Sequence, residues 1–177
     1  MPDKPDSPQQ PYAVDRLISE ARRLAAEYRR TTGKPLPGIS GEIAENDAAR
    51  LLNLKLVKDE QLGYDALGLE RREGIRYQIK SRAIFDESKS GYRIGQLKLD
   101  RDWDAVLLVL MDENYEPFEI WEADRDTLEE AVEESAASKR AKRGALSVAK
   151  FKVLGTLVWT REEGEIDDEI WDNQRDG

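Results

Sequence analysis

Neither cysteine nor histidine occurs anywhere in the 177 residues. Without cysteine there are no disulfides and no thiolate metal sites, and without histidine there is no imidazole base, no Ser-His or Cys-His nucleophile pair and no histidine-ligated zinc. Any hydrolytic chemistry must therefore rest on carboxylates, lysine and a hard metal ion. Long apolar runs are missing too: none approaches the roughly eighteen residues that span a bilayer, which predicts no membrane partner. The opening MPDKPDSPQQP lacks the basic-then-apolar layout of a secretory signal, and together with the absent cysteines this points to cytoplasmic residence.

Charge, by contrast, is plentiful. Charged residues make up 37% of the chain and the net charge is -9, which argues at first against a polyanionic partner. The excess is local, because residues 161–177 carry -6 and the other 160 residues only -3. A body that is nearly neutral leaves room for basic patches. The length suits one well-buried domain, so the expected organisation is a flexible leader over residues 1–11, a single domain over 12–160 and an acidic, mobile tail over 161–177.

Along the chain, Ala13, Leu17, Ala21, Leu24 and Tyr28 recur at helical spacing. They predict an amphipathic helix over residues 12–30 with that stripe toward the core and Arg16, Glu20, Arg23 and Glu27 in solvent. Residues 31–38 hold two prolines and two glycines and break it. Ser40 is placed to cap a second helix reaching Asn53, with Ala44, Ala48, Leu51 and Leu52 inward and Glu42 in the electropositive first turn. Short strands are expected over 54–60 and 63–67, then an exposed hairpin tip over 70–74 and a strand over 75–82. Residues 83–100 read as a loop leaving the core. The apolar run 105–111, AVLLVLM, predicts the central buried strand, followed by a turn and a strand over 117–123. Thr127 to Glu130 form a capping box for a helix fading near Ser138, and 151–159 read as one or two strands kinked at Gly155.

Two stretches bear on chemistry. Lys139, Arg140, Lys142, Arg143, Lys150 and Lys152 lie within residues 139–152, which contain no acid, and this is the chain's clearest footprint for phosphate. A solvated basic loop balancing acids elsewhere accounts for it equally well. The second is residues 63–82, GYDALGLERREGIRYQIKSR. In an extended strand, side chains two apart share a face roughly 6.5 to 7 Å from one another, so Gln78 and Lys80 can enter one pocket while Ile75, Tyr77 and Ile79 bury the back of the strand. Asp65 needs only to end a neighbouring strand to join them.

Asp65 followed by Gln78-Ile79-Lys80 resembles the signature of the PD-(D/E)xK nuclease superfamily, with its restriction-endonuclease-like fold. The Gln-x-Lys form is similar to that of Mrr-type nucleases. Gly41-Glu42-Ile43-Ala44-Glu45 looks like the Gly-x-x-x-Glu opening of the helix in Holliday-junction resolvases. Tyr64 stands where the family name has proline, and Gln78 replaces the usual acid. The likeness covers about residues 40–159.

What the resemblance implies is an α/β fold with a mixed central sheet flanked by helices, in an αβββαβ-like order with one extra N-terminal helix. It also implies metal-dependent hydrolysis of DNA. Magnesium or manganese would be anchored by Asp65, with the Gln78 side chain, the Ile79 carbonyl and Glu45 as further ligands and Glu42 as substitute for Glu45. Lys80 would orient or help deprotonate the attacking water. The alternative is a catalytically weak or inactive nuclease-like module that binds nucleic acid or protein. A homodimer, and a protein partner for the tail through Ile166, Ile170 and Trp171, stay open.

Overall fold

The computed structural model describes residues 11–136 and 146–166. Seven strands lie side by side in chain order: β1 (Leu54–Leu56), β2 (Ala66–Gly68), β3 (Arg76–Ala83), β4 (Ala105–Met111), β5 (Pro117–Asp124), β6 (Thr156–Thr160) and β7 (Gly164–Glu165). Every neighbouring pair is antiparallel except β3 and β4, which run parallel. The helices are α1 (Pro11–Thr32), α2 (Ser40–Leu52), α3 (Arg125–Ala136) and α4 (Val148–Leu154). The result is an α/β protein built on a mixed sheet, and among the described residues no helix is long and apolar enough to cross a membrane.

β4 holds the middle place, as its sequence predicts, and all seven of its residues are buried. Its alternate side chains serve two cores. Ala105, Leu107, Val109 and Met111 pack with Ala44, Ala48 and Leu52 of α2. Val106, Leu108 and Leu110 pack with Leu128 and Val132 of α3 and Phe151 of α4. Truncating a side chain such as Leu107 to alanine in such a strand costs about 2–5 kcal/mol, since transfer and cavity terms add.

The parallel step from β3 to β4 requires a crossover, and in an αβββαβ order that crossover is a helix. Residues 84–104 contain none. They do not leave the core either, which corrects the loop expectation: Ile94, Leu97 and Trp103 are buried in the second core, and Ile94 N–H donates to the Leu146 carbonyl (3.0 Å) while Val148 N–H donates to that of Tyr92 (2.8 Å). Three apolar anchors and a short backbone pairing take the place of helical packing.

α1 is rotated relative to its hydrophobic pattern. Leu17 and Leu24 are 54% and 58% exposed, and the inward face is instead Ile18, Arg22, Ala25 and Ala26. The cause lies on α2. Asp47, 1% exposed, receives Arg22 in a two-pronged ion pair at 2.7 and 2.8 Å, and the small Ala25 and Ala26 sit against the core beside it. A buried charge pair outweighs the stripe of larger apolar residues, because either partner without the other would keep only an exposed counter-ion at 3.5 Å, Glu116 for Arg22 and Arg50 for Asp47.

Several local expectations are corrected in the same way. Ser40 makes no capping bond, and Ile39 occupies the N-cap of α2. α3 begins earlier than the capping box predicts, with Asp124 accepting from the backbone and hydroxyl of Thr127 at 2.9 and 3.0 Å. The first half of the expected last strand is α4, because Ser147 caps the Lys150 N–H (3.0 Å) and Val148 and Phe151 bury one helical face. Gly155 ends it, packed so closely that a Cβ there would meet the Glu122 carbonyl oxygen at 2.8 Å. The expected exposed tip at 70–74 buries Arg72, which with Arg71 pairs to Glu165. Glu165 belongs to β7, so the ordered sheet extends past the expected domain end at residue 160. Ile166 is partly buried and donates to the Val158 carbonyl (2.9 Å); Ile170 and Trp171 lie outside the described residues.

Candidate active site

The pairing of β2 with β3 stops at Ala66 opposite Tyr77. One residue earlier, Asp65 still donates its N–H to the Tyr77 carbonyl (2.8 Å), and its own carbonyl accepts from Val57 (2.9 Å). Beyond that point the side chain replaces the ladder: Asp65 Oδ2 accepts from the Ile79 N–H at 2.7 Å. β3 runs on to Ala83 with β4 on one side only, which leaves a notch along Ile79, Lys80 and Ser81. The N–H and C=O of one strand residue point to the same side, so the Ile79 carbonyl is turned toward this notch as well.

Tyr77 and Ile79 join the core beneath α2, together with Ala66. Gln78 and Lys80 therefore face the other side of the sheet, while Asp65 sits just before β2 at the strand end, its carboxylate turned to the Ile79 N–H. The Lys80 ammonium donates to the Gln96 carbonyl at 3.0 Å and lies beneath Gly95. Burial holds its pKa below the ordinary value; Asp65 pulls it back up, and the neighbouring cation of Lys98 pushes it further down. Gln78 is only 3% exposed, and neither its amide oxygen nor its amide nitrogen has a hydrogen-bond partner among the described residues. An orphaned buried amide is uncommon enough in a folded protein to demand an occupant or a role.

Glu45 comes from α2, on the opposite side of the sheet. Its carboxyl is pushed up to about 7, first by burial and then by the charges of Asp65 and Glu42. The three acids thus form one electrostatic neighbourhood, into which Lys80 enters through Asp65. Glu42 itself is exposed in the first turn of α2. Among the described residues no group of three or more carboxylates is arranged to hold a metal ion, so any ion here would depend on two carboxylates supplemented by neutral oxygens.

The basic segment is placed only in part. Lys139, Arg140, Lys142 and Arg143 lie outside the described residues. Lys150 is exposed on α4, whereas Lys152 is paired with Glu119 (3.1 Å) and sits 5.5 Å from the centre of the Trp121 ring. Lys152 also borders a cleft of about 410 Å³ with Ile84, Tyr92, Phe118 and Val148, and none of Glu45, Asp65, Gln78 or Lys80 lines it. Sequence spacing gave no reason to single out Lys98 or the backbone of Gln96. Both come from the crossover, and only its folding onto the sheet brings them to Lys80.

Comparison with protein-family models and with curated proteins finds no match for this chain.

Proposed function

We propose that the protein is a metal-dependent deoxyribonuclease on a restriction-endonuclease-like core, with its site at Asp65, Gln78, Lys80 and Glu45. The observation that carries this reading is the end of β2, where Asp65 leaves the ladder, caps Ile79 and comes within electrostatic reach of both Glu45 and Lys80. The β1-β2-β3 meander joined in parallel to β4, with α2 before it, supports the fold assignment. The helix-free crossover is where this chain departs from that fold.

The donor set fits magnesium or manganese, which favour oxygen ligands and retain several waters. Asp65 and Glu45 supply charge, and the unpartnered Gln78 amide oxygen and the Ile79 carbonyl supply neutral oxygens. The repulsion that raises Glu45 is the interaction a cation would relieve. When bound, such an ion would polarise a phosphate oxygen and lower the pKa of a coordinated water. Lys80, held by the Gln96 carbonyl, places a positive charge beside the acids, where it stabilises negative charge building on a phosphoryl group. Lys98 adds to that field.

A second reading is favoured by one residue. Neutral Gln78 stands where an acid would strengthen metal binding, which suits a nuclease-like module that binds without cutting. The test is cleavage of duplex, single-stranded and branched DNA with magnesium or manganese, paired with calorimetric titration of manganese. Chelation and Asp65→Ala should abolish cleavage, and Lys80→Ala should lower turnover far more than DNA affinity. A wild type that binds manganese but cuts nothing, while Gln78→Glu cuts, establishes the binding module. If neither binds manganese, the site assignment fails.

A further inference from the structure

The rotation of α1 that buries Arg22 turns Leu17, Leu24 and Tyr28 outward, at 54%, 58% and 37% exposure. At 3.6 residues per turn these side chains form one stripe along the outer face of a 22-residue helix, with Ala21, partly buried, at its edge. Immediately beside the stripe run Arg16, Glu20, Arg23 and Glu27, all exposed, and none of the four makes an ion pair among the described residues. Their order has a particular symmetry. Reversing the row about its midpoint, between Ala21 and Arg22, places Arg16 opposite Glu27 and Glu20 opposite Arg23.

When two helices pair across an apolar seam, the charged row flanking the seam meets the same row of the partner only if the helices are antiparallel. Parallel pairing would bring it against the partner's other flank. On α1 that other flank is the one committed to the core, at Ile18 and Ala25. The arrangement thus selects both the partner and its direction. We propose that α1 is a self-association surface: two copies of this chain pair antiparallel through Leu17, Leu24 and Tyr28, about a two-fold axis near Ala21, with Arg16 facing the second copy's Glu27 and Glu20 its Arg23. The small Ala21 at the crossing lets the two helices approach closely.

Sedimentation of the full chain, 20.2 kDa as a monomer, tests this directly. The wild type should reach twice that mass at micromolar concentration. Leu24→Glu, at an exposed position, should keep the circular dichroism of the wild type and weaken the dimer by more than about a hundredfold. Arg16→Glu sets Glu against Glu at both ends of the pair and should weaken it about tenfold at low salt; adding Glu27→Arg should restore it. The absence of native cysteine makes cross-linking specific. Ala21→Cys should form a disulfide-linked dimer readily. Leu17→Cys should not, because antiparallel pairing separates the two copies of residue 17 by roughly 13 Å along the axis. A wild type that stays monomeric throughout the micromolar range overturns the proposal. So does a dimer indifferent to Leu24→Glu, a charge reversal that is not rescued, or equal cross-linking at positions 17 and 21.

Discussion

Glu45→Gln provides the sharpest test of the electrostatics around Asp65. The Glu45 carboxyl is raised from its ordinary 4.5 to about 7 by burial and by Asp65 and Glu42. Below about pH 4.5 the group is protonated in the folded and unfolded chains alike, and it carries no penalty. Between that pH and about 7 only the unfolded chain ionises, so stability falls as the pH rises, and above about 7 the loss is complete. At about 1.4 kcal/mol per pH unit, the displacement amounts to about 3 kcal/mol. Glu45 keeps some contact with solvent, which screens the charge and brings the expected loss to about 2 kcal/mol. Urea unfolding in the presence of a chelator should therefore find Glu45→Gln more stable than wild type by about 2 kcal/mol near pH 8 and equal to it near pH 4. Replacing the chelator with magnesium or manganese should stabilise the wild type near pH 8 more than the variant. A difference that stays constant across this pH range, or has the opposite sign, refutes the placement of Glu45 beside Asp65.

Other expectations concern the frame that holds the site. Asp47→Ala leaves the buried Arg22 only the exposed Glu116 carboxylate at 3.5 Å and should cost toward the lower end of about 3–5 kcal/mol in urea unfolding. Removing residues 161–177 takes away β7 and the Glu165 partner of Arg71 and Arg72, and should lower stability by about 1–3 kcal/mol, where a merely appended tail would lower it not at all. Gly68→Ala would drive a Cβ to 2.0 Å from the Arg72 carbonyl oxygen, so the turn must shift; a thermal melt should show a loss of about 1–3 kcal/mol.

Local pattern was enough to read β4, whose unbroken apolar run of seven residues has the length of a strand covered on both faces, and to read the alternation that sets Tyr77 and Ile79 against Gln78 and Lys80. Asp65 was nominated through the likeness to a nuclease signature rather than through local pattern, which says only that it precedes a short strand. Periodicity misjudged α1 for a nonlocal reason: a stripe of leucines marks an apolar face, but whether that face turns inward depends on Asp47, which lies 25 residues from Arg22 in the chain. The segments at 151–155 and 164–165 were misread because short elements take their form from distant partners, Ser147 and Glu122 for α4 and Arg71 and Arg72 for β7. Composition and alternation along the chain set which residues prefer burial, which can share a strand face and which chemistries the missing histidine and cysteine exclude. That Lys80 rests on the Gln96 carbonyl near Lys98, that burial beside Asp65 pushes the Glu45 carboxyl up, and that Leu17 and Leu24 face solvent all follow from charges and surfaces that meet through folding rather than along the chain.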